Sequence, residues 1–324
     1  MMRLARFASF VLVCLLATTH SRGESTTYPQ RPIKIIAPYT PGGPSDTLAR
    51  VVAEKLSARF GTAVVVENRS GGGGSVGAAT AAKAPADGYT LLMLAFAHCV
   101  QESLMPDLPY RVVRDFAPIT RVASLPLVLA GRADLPPRST AELVEYARTR
   151  PRQLTYASAG NGTSQHLAME QFRQLTGIEL IHVPYPGLPQ GISEMLAGRI
   201  HLAFTPMSSL LPYINAGALR GYAVTTTQRV ELLPGLPTFA ELGYEQMALD
   251  TWHGLVAPAG TPQKILDKLG NEVTAILATP EIRAKLTRFG ALPAPLRGAE
   301  FGSFIRQEVA RYAHIVRAGN IKAD

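Results

Sequence analysis

The sequence predicts an α/β protein of two lobes, each a mostly parallel sheet flanked by helices. A chain of 324 residues is long for one hydrophobic core and about right for two lobes. A hydrophobic fraction of 47% and a charged fraction of 17% are typical of a soluble globular protein. Short apolar runs alternate with helical patterns, which indicates parallel strands joined by crossover helices, and this rhythm restarts near Leu125.

The first 23 residues are expected to be a secretory signal peptide and not part of the fold. Arg3 and Arg6 form a basic start, and an apolar stretch at 7–17 follows them. That stretch is too short for a membrane span, which needs about 20 apolar residues. Small residues at the end of the segment favour cleavage after Gly23. The mature protein is therefore expected in the periplasm.

Charge and reactive side chains argue against several classes of protein. Loss of the three arginines in residues 1–23 lowers the formal net charge from +8 to +5, a mild basic bias compatible with an anionic ligand. No basic run and no basic–aromatic interleaving occurs, so a nucleic acid is not an expected partner. The histidines lack metal-ligand spacing and the acids are not paired, so we expect no metal, no cofactor and no catalytic residue. Cys14 belongs to the signal, which leaves Cys99 without a disulfide partner.

A glycine-containing loop follows the first predicted strand, Ile33–Ala37. The loop reads PYTPGGPSD over residues 38–46, and a helix capped by Ser45 is expected to run on to Phe60. Backbone N–H groups at a helix start attract a carboxylate, and glycines let the backbone approach it closely. The loop is therefore a candidate carboxylate site, with a plain turn and helix cap as the alternative.

The same order of strand, glycine loop and helix recurs at residues 158–164, SAGNGTS. Two helix N-termini that face one cleft would hold one anion from both sides. This repetition is the strongest argument from the residues alone for an acidic ligand. His166 lies one turn into the second helix. At that position, local capping and ligand contact are equally expected roles for its side chain.

A third glycine-rich stretch, GGGGSVG at residues 71–77, fits two functional patterns. The dinucleotide pattern G-x-G-x-x-G also needs an acid near the end of the next strand, and none lies between Asp87 and Glu102. The nucleophile-elbow pattern G-x-S-x-G would make Ser75 the nucleophile of an exported serine hydrolase. Only two strands precede Ser75, which is early for such an elbow, so the hydrolase remains the enzyme alternative.

The C-terminal stretch has predicted helices but few strands, so it is expected to return and cover the first lobe. Lobe one is then residues 24–124 and 248–324, and lobe two is residues 125–247. The segments near 117–128 and 247–258 cross between the lobes and would form a hinge. A cleft between two hinged lobes is a usual place for a ligand.

Nine stretches together carry a resemblance to a known family. They are YPQRPIKIIAPYTPGGPSDTLAR (28–50), VVVENRSGGGGSVGA (64–78), APADGYTLL (84–92), DFAPITRVAS (115–124), YASAGNGTSQHLAMEQF (156–172), HVPYPG (182–187), LRGYAVTT (219–226), LLPGLPTFAELG (232–243) and WHGLVAPAGTP (252–262). Through them the chain resembles the Bug family, the periplasmic solute receptors of tripartite tricarboxylate transporters. The resemblance covers nearly all of the chain after the signal.

The resemblance implies a periplasmic-binding-protein clamshell, or Venus flytrap, that closes on a small carboxylate and presents it to membrane transporter subunits. Binding then needs no chemical step, so the protein is not expected to be an enzyme. The implied ligand contacts in lobe one are Tyr39, Thr40, Gly42, Gly43, Ser45 and Asp46. The loop at 95–98 should line the pocket through Phe96, Ala97 and His98. In lobe two the candidates are Ala159, Gly160, Gly162, Thr163, Ser164, His166, Tyr185 and Thr205.

Two positions depart from the family pattern. Pro186 stands where the family usually has a lysine, and Thr205 stands where it often has an aspartate. Phe96, Pro206 and Met207 would make the distal end of the pocket more apolar. We therefore expect an aromatic or aliphatic acid rather than a hydroxylated tricarboxylate such as citrate. A monomer suffices for this mechanism, and a sensor that passes its closed form to a signalling protein is the alternative to transport.

Overall fold

The computed structural model describes residues 28–185 and 187–322. The chain divides into two compact units, residues 1–30 and residues 31–324, and all elements below belong to the second. The expected signal peptide and the departure at Pro186 lie outside the described residues. Within the described ranges, no helix is both long enough and apolar enough to cross a membrane.

Strands and helices alternate along most of the chain. The strands are β1 (Ile33–Ala37), β2 (Val64–Asn68), β3 (Thr90–Ala95), β4 (Phe116–Arg132), β5 (Thr155–Ser158), β6 (Ile181–Pro184), β7 (Leu202–Pro206), β8 (Leu219–Val224), β9 (Asp250–Pro258) and β10 (Leu292–Pro293). The helices are α1 (Pro44–Phe60), α2 (Ser75–Ala82), α3 (Phe96–Leu104), α4 (Val112–Asp115), α5 (Thr140–Arg148), α6 (Ser164–Thr176), α7 (Leu188–Leu196), α8 (Met207–Asn215), α9 (Gln263–Ala278), α10 (Pro280–Arg288) and α11 (Gly298–Ala318).

The sheet is mixed, with parallel strands at its two ends and antiparallel strands between them. β1 pairs in parallel with β2 and β3, and β5 pairs in parallel with β6 and β7. β9 is antiparallel to β3 and β4, and β4 is antiparallel to β7 and β8. The predicted parallel order therefore holds in the outer strands. The central strands are antiparallel because the chain crosses in β4 and returns in β9.

The crossing strand β4 spans both ends of the sheet. Its early residues pair with β9 and β10, and its late residues pair with β7 and β8. Helix α11 packs on α3 and on β4, and α9 packs on α1. We call β1–β3, their helices and the C-terminal helices packed on them the first half, and β5–β8 with α5–α8 the second half.

Two boundaries near the cleft differ from the sequence prediction. Helix α1 begins at Pro44 with Gly43 as its N-cap, so the prediction that Ser45 caps this helix is wrong. Proline is well suited to the first helical position because its φ is already helical and its missing N–H needs no partner there. The segment at 95–98 is not a loop, since β3 runs to Ala95 and α3 starts at Phe96.

Candidate ligand-binding cleft

A cleft of about 910 Å³ lies between the first and second halves. No Lys, Arg, Asp or Glu is among its described lining residues. Much of its wall is apolar, formed by Phe96, Val100, Leu104, Met105, Leu125, Leu188, Pro206 and Phe289. Any charged group in a ligand must therefore be stabilised by backbone dipoles and neutral polar groups.

Three strands of the sheet lead directly to this cleft. β1, β3 and β5 end there, and α1, α3 and α6 begin there. The N-caps of α1 and α6, Gly43 and Thr163, make no side-chain capping hydrogen bond. An uncapped helix start leaves the N–H groups of its first turn available to another acceptor. The helix dipole favours an anion at that position.

The candidate residues divide into two groups by position. Nine line the cleft: Tyr39, Gly42, Ser45, Phe96, Ala97, Ala159, Gly162, Thr163 and Ser164. Eight are not part of its lining: Thr40, Gly43, Asp46, His98, Gly160, His166, Tyr185 and Thr205. Several of the second group hold the loops that present the first.

Asp46 organises the first loop from inside the protein. Its buried carboxylate accepts hydrogen bonds from the Gly42 N–H at 2.9 Å, from Arg50 Nε at 3.0 Å and from Asn68 Nδ2 at 2.9 Å. The Arg50 hydrogen bond, followed by those from Gly42 and Asn68, lowers the pKa of Asp46 to about 2. The carboxylate is thus occupied by loop contacts, which explains why it does not line the cleft.

The second loop is held by hydroxyl and imidazole groups. The Thr163 hydroxyl donates to the Gly160 carbonyl at 2.7 Å, and the Gly162 N–H donates to His166 Nδ1 at 3.2 Å. The Gly160 N–H donates to Ser158 Oγ at 3.1 Å. His166 stacks on His182 with ring centroids 4.0 Å apart. These contacts place His166 behind the loop as a support.

His98 is the third residue of α3, and its side chain is fully buried. Its Nδ1 accepts from the Ala95 N–H at 3.1 Å. Burial lowers the pKa of His98 to about 4, so its imidazole is neutral at pH 7. Burial also raises the pKa of Tyr39, whose ring lies 6.1 Å from that of His98.

Comparison with known proteins agrees with this architecture. Residues 48–321 match the model of the family described as tripartite tricarboxylate transporter family receptor. The chain belongs to this receptor family. The Bordetella pertussis protein BugT is 35% identical over 301 residues, 92% of this chain and 92% of BugT.

Solved structures show the same fold. One is an R. palustris protein with adipate, with a TM-score of 0.75 and 34% identity, covering 91% of this chain and 99% of that chain. Another is MatC from Rhodopseudomonas palustris with bound malate, with a TM-score of 0.70 and 27% identity, covering 89% of this chain and 100% of that chain. The two-lobed periplasmic-binding-protein fold predicted from the sequence is confirmed.

Two remaining candidates of this receptor lie away from the cleft surface. Thr205 is fully buried on β7, and its hydroxyl has no hydrogen-bond partner in the described part of the chain. Tyr185 is half-buried, and its N–H donates to the Ser158 carbonyl at 3.0 Å, so it also supports the second loop. Burial raises the pKa of Tyr185.

The receptor cleft also contains residues that sequence reasoning missed. His253 and Thr251 reach it from β9, Gln101 from α3, and Ser208 and Ser209 from α8. Burial lowers the pKa of His253 to about 3. The stretch WHGLVAPAGTP belongs to the family pattern, but its histidine has no metal-ligand spacing and so does not stand out in the sequence. Its place on a crossing strand was the signal that could have identified it.

The two walls of the receptor cleft touch at two places. A Cβ added to Gly162 would lie 2.6 Å from Leu104 Cδ1. A Cβ added to Gly290 would lie 2.5 Å from Ser208 Cβ and 3.2 Å from Ser208 Cα. Because each pair joins the first half to the second, the cleft in this structure is already partly closed.

Ser75, the nucleophile of the hydrolase alternative, is the first residue of α2. Among the described residues, no histidine hydrogen-bonds its hydroxyl. A serine nucleophile needs an adjacent base to become reactive. Within the described residues, Ser75 therefore lacks the adjacent base that its motif would require.

Proposed function

We propose that this chain is a periplasmic receptor that traps a small carboxylate with an apolar body and delivers it to a membrane transporter. The observation that carries the proposal is a cleft at which uncapped α1 and α6 begin from opposite walls and whose described lining contains no charged side chain. Helix N-termini stabilise an anion there without a cationic side chain. The chain is proposed to reach the periplasm by cleavage after Gly23.

The proposed contacts of the carboxylate come from both loops. In lobe one they are Tyr39, Gly42 and Ser45, and in lobe two they are Ala159, Gly162, Thr163 and Ser164. Lobe one is proposed to be residues 24–124 and 248–324, and lobe two residues 125–247. Asp46 and His166 act from behind as supports, because their hydrogen bonds are already directed at Gly42 and Gly162.

The apolar wall supports an aliphatic or aromatic acid over citrate. Phe96, Leu104, Met105 and Phe289 offer little to the hydroxyl and extra carboxylates of citrate, which would lose water without gaining partners. One relative at 34% identity was solved with adipate, a diacid with an aliphatic body. By the resemblance, Pro186 stands where the family usually has a lysine, and the loss of that cation supports the same choice.

A thermal-shift screen of the mature protein tests this function. The panel contains adipate, other aliphatic and aromatic acids, malate and citrate, each paired with its amide. Binding to the native state raises the melting temperature by mass action, so an apolar acid should raise it while the amide does not. Isothermal titration then gives the dissociation constants. Citrate binding more tightly than every apolar acid would refute the ligand class, and no response to any acid would refute the receptor function.

A further inference from the structure

A second pocket, of about 410 Å³, lies beside the crossing strands β4 and β9. One wall comes from β4, β10 and α11, through residues such as Arg121, Phe304 and Arg311. The other wall is the loop at 225–231 that follows β8. The second pocket therefore also lies between the first and second halves, and nothing in the proposed function uses it.

The crossing strands separate the second pocket from the cleft. On β4, Ser124 lines the second pocket and Leu125 lines the cleft, as expected for neighbouring residues that point to opposite faces of a strand. Ser124 pairs with Trp252 on β9, whereas Leu125 pairs with Thr251, another cleft residue. One face of the hinge ladder thus carries the cleft and the other face carries the second pocket.

Rotation about this ladder must change the two cavities in opposite senses. As the halves approach each other at the cleft, the 225–231 loop moves away from α11 on the other face. The cleft here is already bridged by the contacts of Leu104 with Gly162 and of Ser208 with Gly290. The second pocket is thus present in a partly closed receptor. An occupant of matching size keeps the 225–231 loop away from α11 and so keeps the cleft narrow.

The available donors in the second pocket suit an oxyanion. The Arg121 Nε donates to the Ala294 carbonyl at 2.8 Å and its guanidinium lies over Phe304 at 4.9 Å, but its two terminal nitrogens have no partner within the described ranges. The buried acid Glu308 has both oxygens occupied, by Trp252 Nε1 at 2.8 Å and by Arg311 Nη1 at 3.2 Å. Thr227 adds a neutral polar group, whereas the hydroxyls of Thr225 and Thr226 already donate to the carbonyls of Leu127 and Gln228.

We propose that the second pocket binds a small oxyanion, a phosphate or a carboxylate, through Arg121 and so stabilises the closed receptor. The occupant acts as a wedge that favours the state with the narrow cleft. Any such coupling is reciprocal, so a cleft ligand also tightens the binding of the oxyanion.

Trp252 provides a direct readout, because it is the single tryptophan of the chain and hydrogen-bonds Glu308 of the second pocket. The mature protein is titrated separately with inorganic phosphate and with acetate while the Trp252 emission is recorded. We expect a saturable change with at least one anion, and the better anion identifies the class. A linear or absent response to both in the millimolar range overturns the proposal.

Variants separate the second pocket from the cleft. Arg121→Gln removes the proposed donor. Thr227→Glu places a negative charge, which repels an anion, on an exposed loop residue where folding is not at risk. Both should weaken the anion response tenfold or more, roughly the loss of one charged hydrogen bond. Ala97→Leu, which fills the cleft instead, leaves Arg121 in place and should keep a saturable anion response. A response that is lost in Ala97→Leu and kept in the other two variants places the anion in the cleft and overturns the proposal.

The coupling is measured by titrating the tightest acid of the panel with and without saturating phosphate. Phosphate should tighten that acid about fivefold in the wild type, at the low end of typical allosteric couplings, and not in Arg121→Gln. If the acid binds equally well with and without phosphate, or more weakly with it, the second pocket does not stabilise the closed receptor. If no acid binds, the proposed function fails, whereas the Trp252 titration still decides whether the second pocket is an anion site.

Discussion

The two ligand loops have the same plan but are held by different chemistry. The loop at 38–46 is organised by the buried carboxylate of Asp46, which Arg50 keeps charged. The loop at 158–164 is organised by neutral groups, chiefly the Thr163 hydroxyl and the His166 imidazole. A repeated strand–glycine–helix motif therefore fixes where the backbone N–H groups point, while the residues that stabilise each loop are free to differ.

The largest expected effect is the loss of the Asp46 carboxylate. Asp46→Ala leaves the Gly42 N–H and one N–H of the Asn68 amide without an acceptor, so we expect the free energy of unfolding to fall by about 3 kcal/mol. Affinity for the acid selected in the panel should fall with it. Urea unfolding and isothermal titration measure the two quantities.

A matched control exists in α4. Asp115 also accepts from the N–H four residues earlier, that of Arg111, at 2.7 Å, and an arginine lowers its pKa too. The difference is that Gly42, the donor to Asp46, lines the cleft, whereas Arg111 does not. Asp115→Ala should reduce stability and leave affinity unchanged. If Asp46→Ala keeps full affinity, the carboxylate does not organise a binding loop.

Both loops can bind one ligand only if the two halves close. Gly290→Ala introduces a Cβ 2.5 Å from Ser208 Cβ on the opposite wall. Overpacking of this kind costs about 2 kcal/mol, which should appear as roughly 30-fold weaker binding.

Gly61 is the control for this substitution. Both glycines follow a helix and have positive φ, +62° at Gly61 and +76° at Gly290, but a Cβ at Gly61 meets nothing within 4 Å. Gly61→Ala should therefore cost stability through its backbone conformation alone and leave affinity unchanged. Equal affinities of the two variants would argue against closure at Ser208.

The sequence alone does not show which residues support the two loops. The order of strand, glycine loop and helix predicted both loops because it depends only on local pattern. The supporting role of Asp46 depends on Asn68, which arrives from a neighbouring strand, and this pairing is visible only in the fold. Helix α8 was missed because Pro212 lies inside it, a residue that normally ends a helical pattern. The antiparallel centre of the sheet was missed because the local pattern of a strand does not show its direction.

Low pH should affect the stabilising contributions of Asp46, which supports the first loop, and of His98 differently. The folded pKa of Asp46, about 2, lies below its ordinary value, so its contribution persists above about pH 4 and is lost only as pH falls towards 2. His98 behaves differently, because burial lowers its pKa from 6.5 to about 4. The unfolded chain then binds a proton that the folded protein excludes, and stability falls as pH drops below about 6.5.

Between pH 7 and pH 5 the His98 contribution should lower the free energy of unfolding by about 2 kcal/mol. His98→Gln should remove that part of the pH dependence, measured by urea unfolding at both pH values. His314→Gln, at an exposed histidine, should leave it in place. An unchanged pH dependence in His98→Gln would mean that His98 does not stay neutral in the folded protein.

The smallest effect should come from the hydroxyl that shapes the second loop. Thr163→Val keeps the side-chain volume but removes the hydrogen bond from Thr163 Oγ1 to the Gly160 carbonyl, with an expected cost of about 1 kcal/mol in stability. Thr261 makes the same bond, 2.7 Å to the carbonyl three residues earlier at Pro258, before a helix that does not line the cleft. Thr261→Val should therefore lose similar stability and no affinity, whereas Thr163→Val loses both. If the two variants bind the acid equally well, the second loop presents its N–H groups without help from the hydroxyl, and the contrast between the loops lies in Asp46 alone.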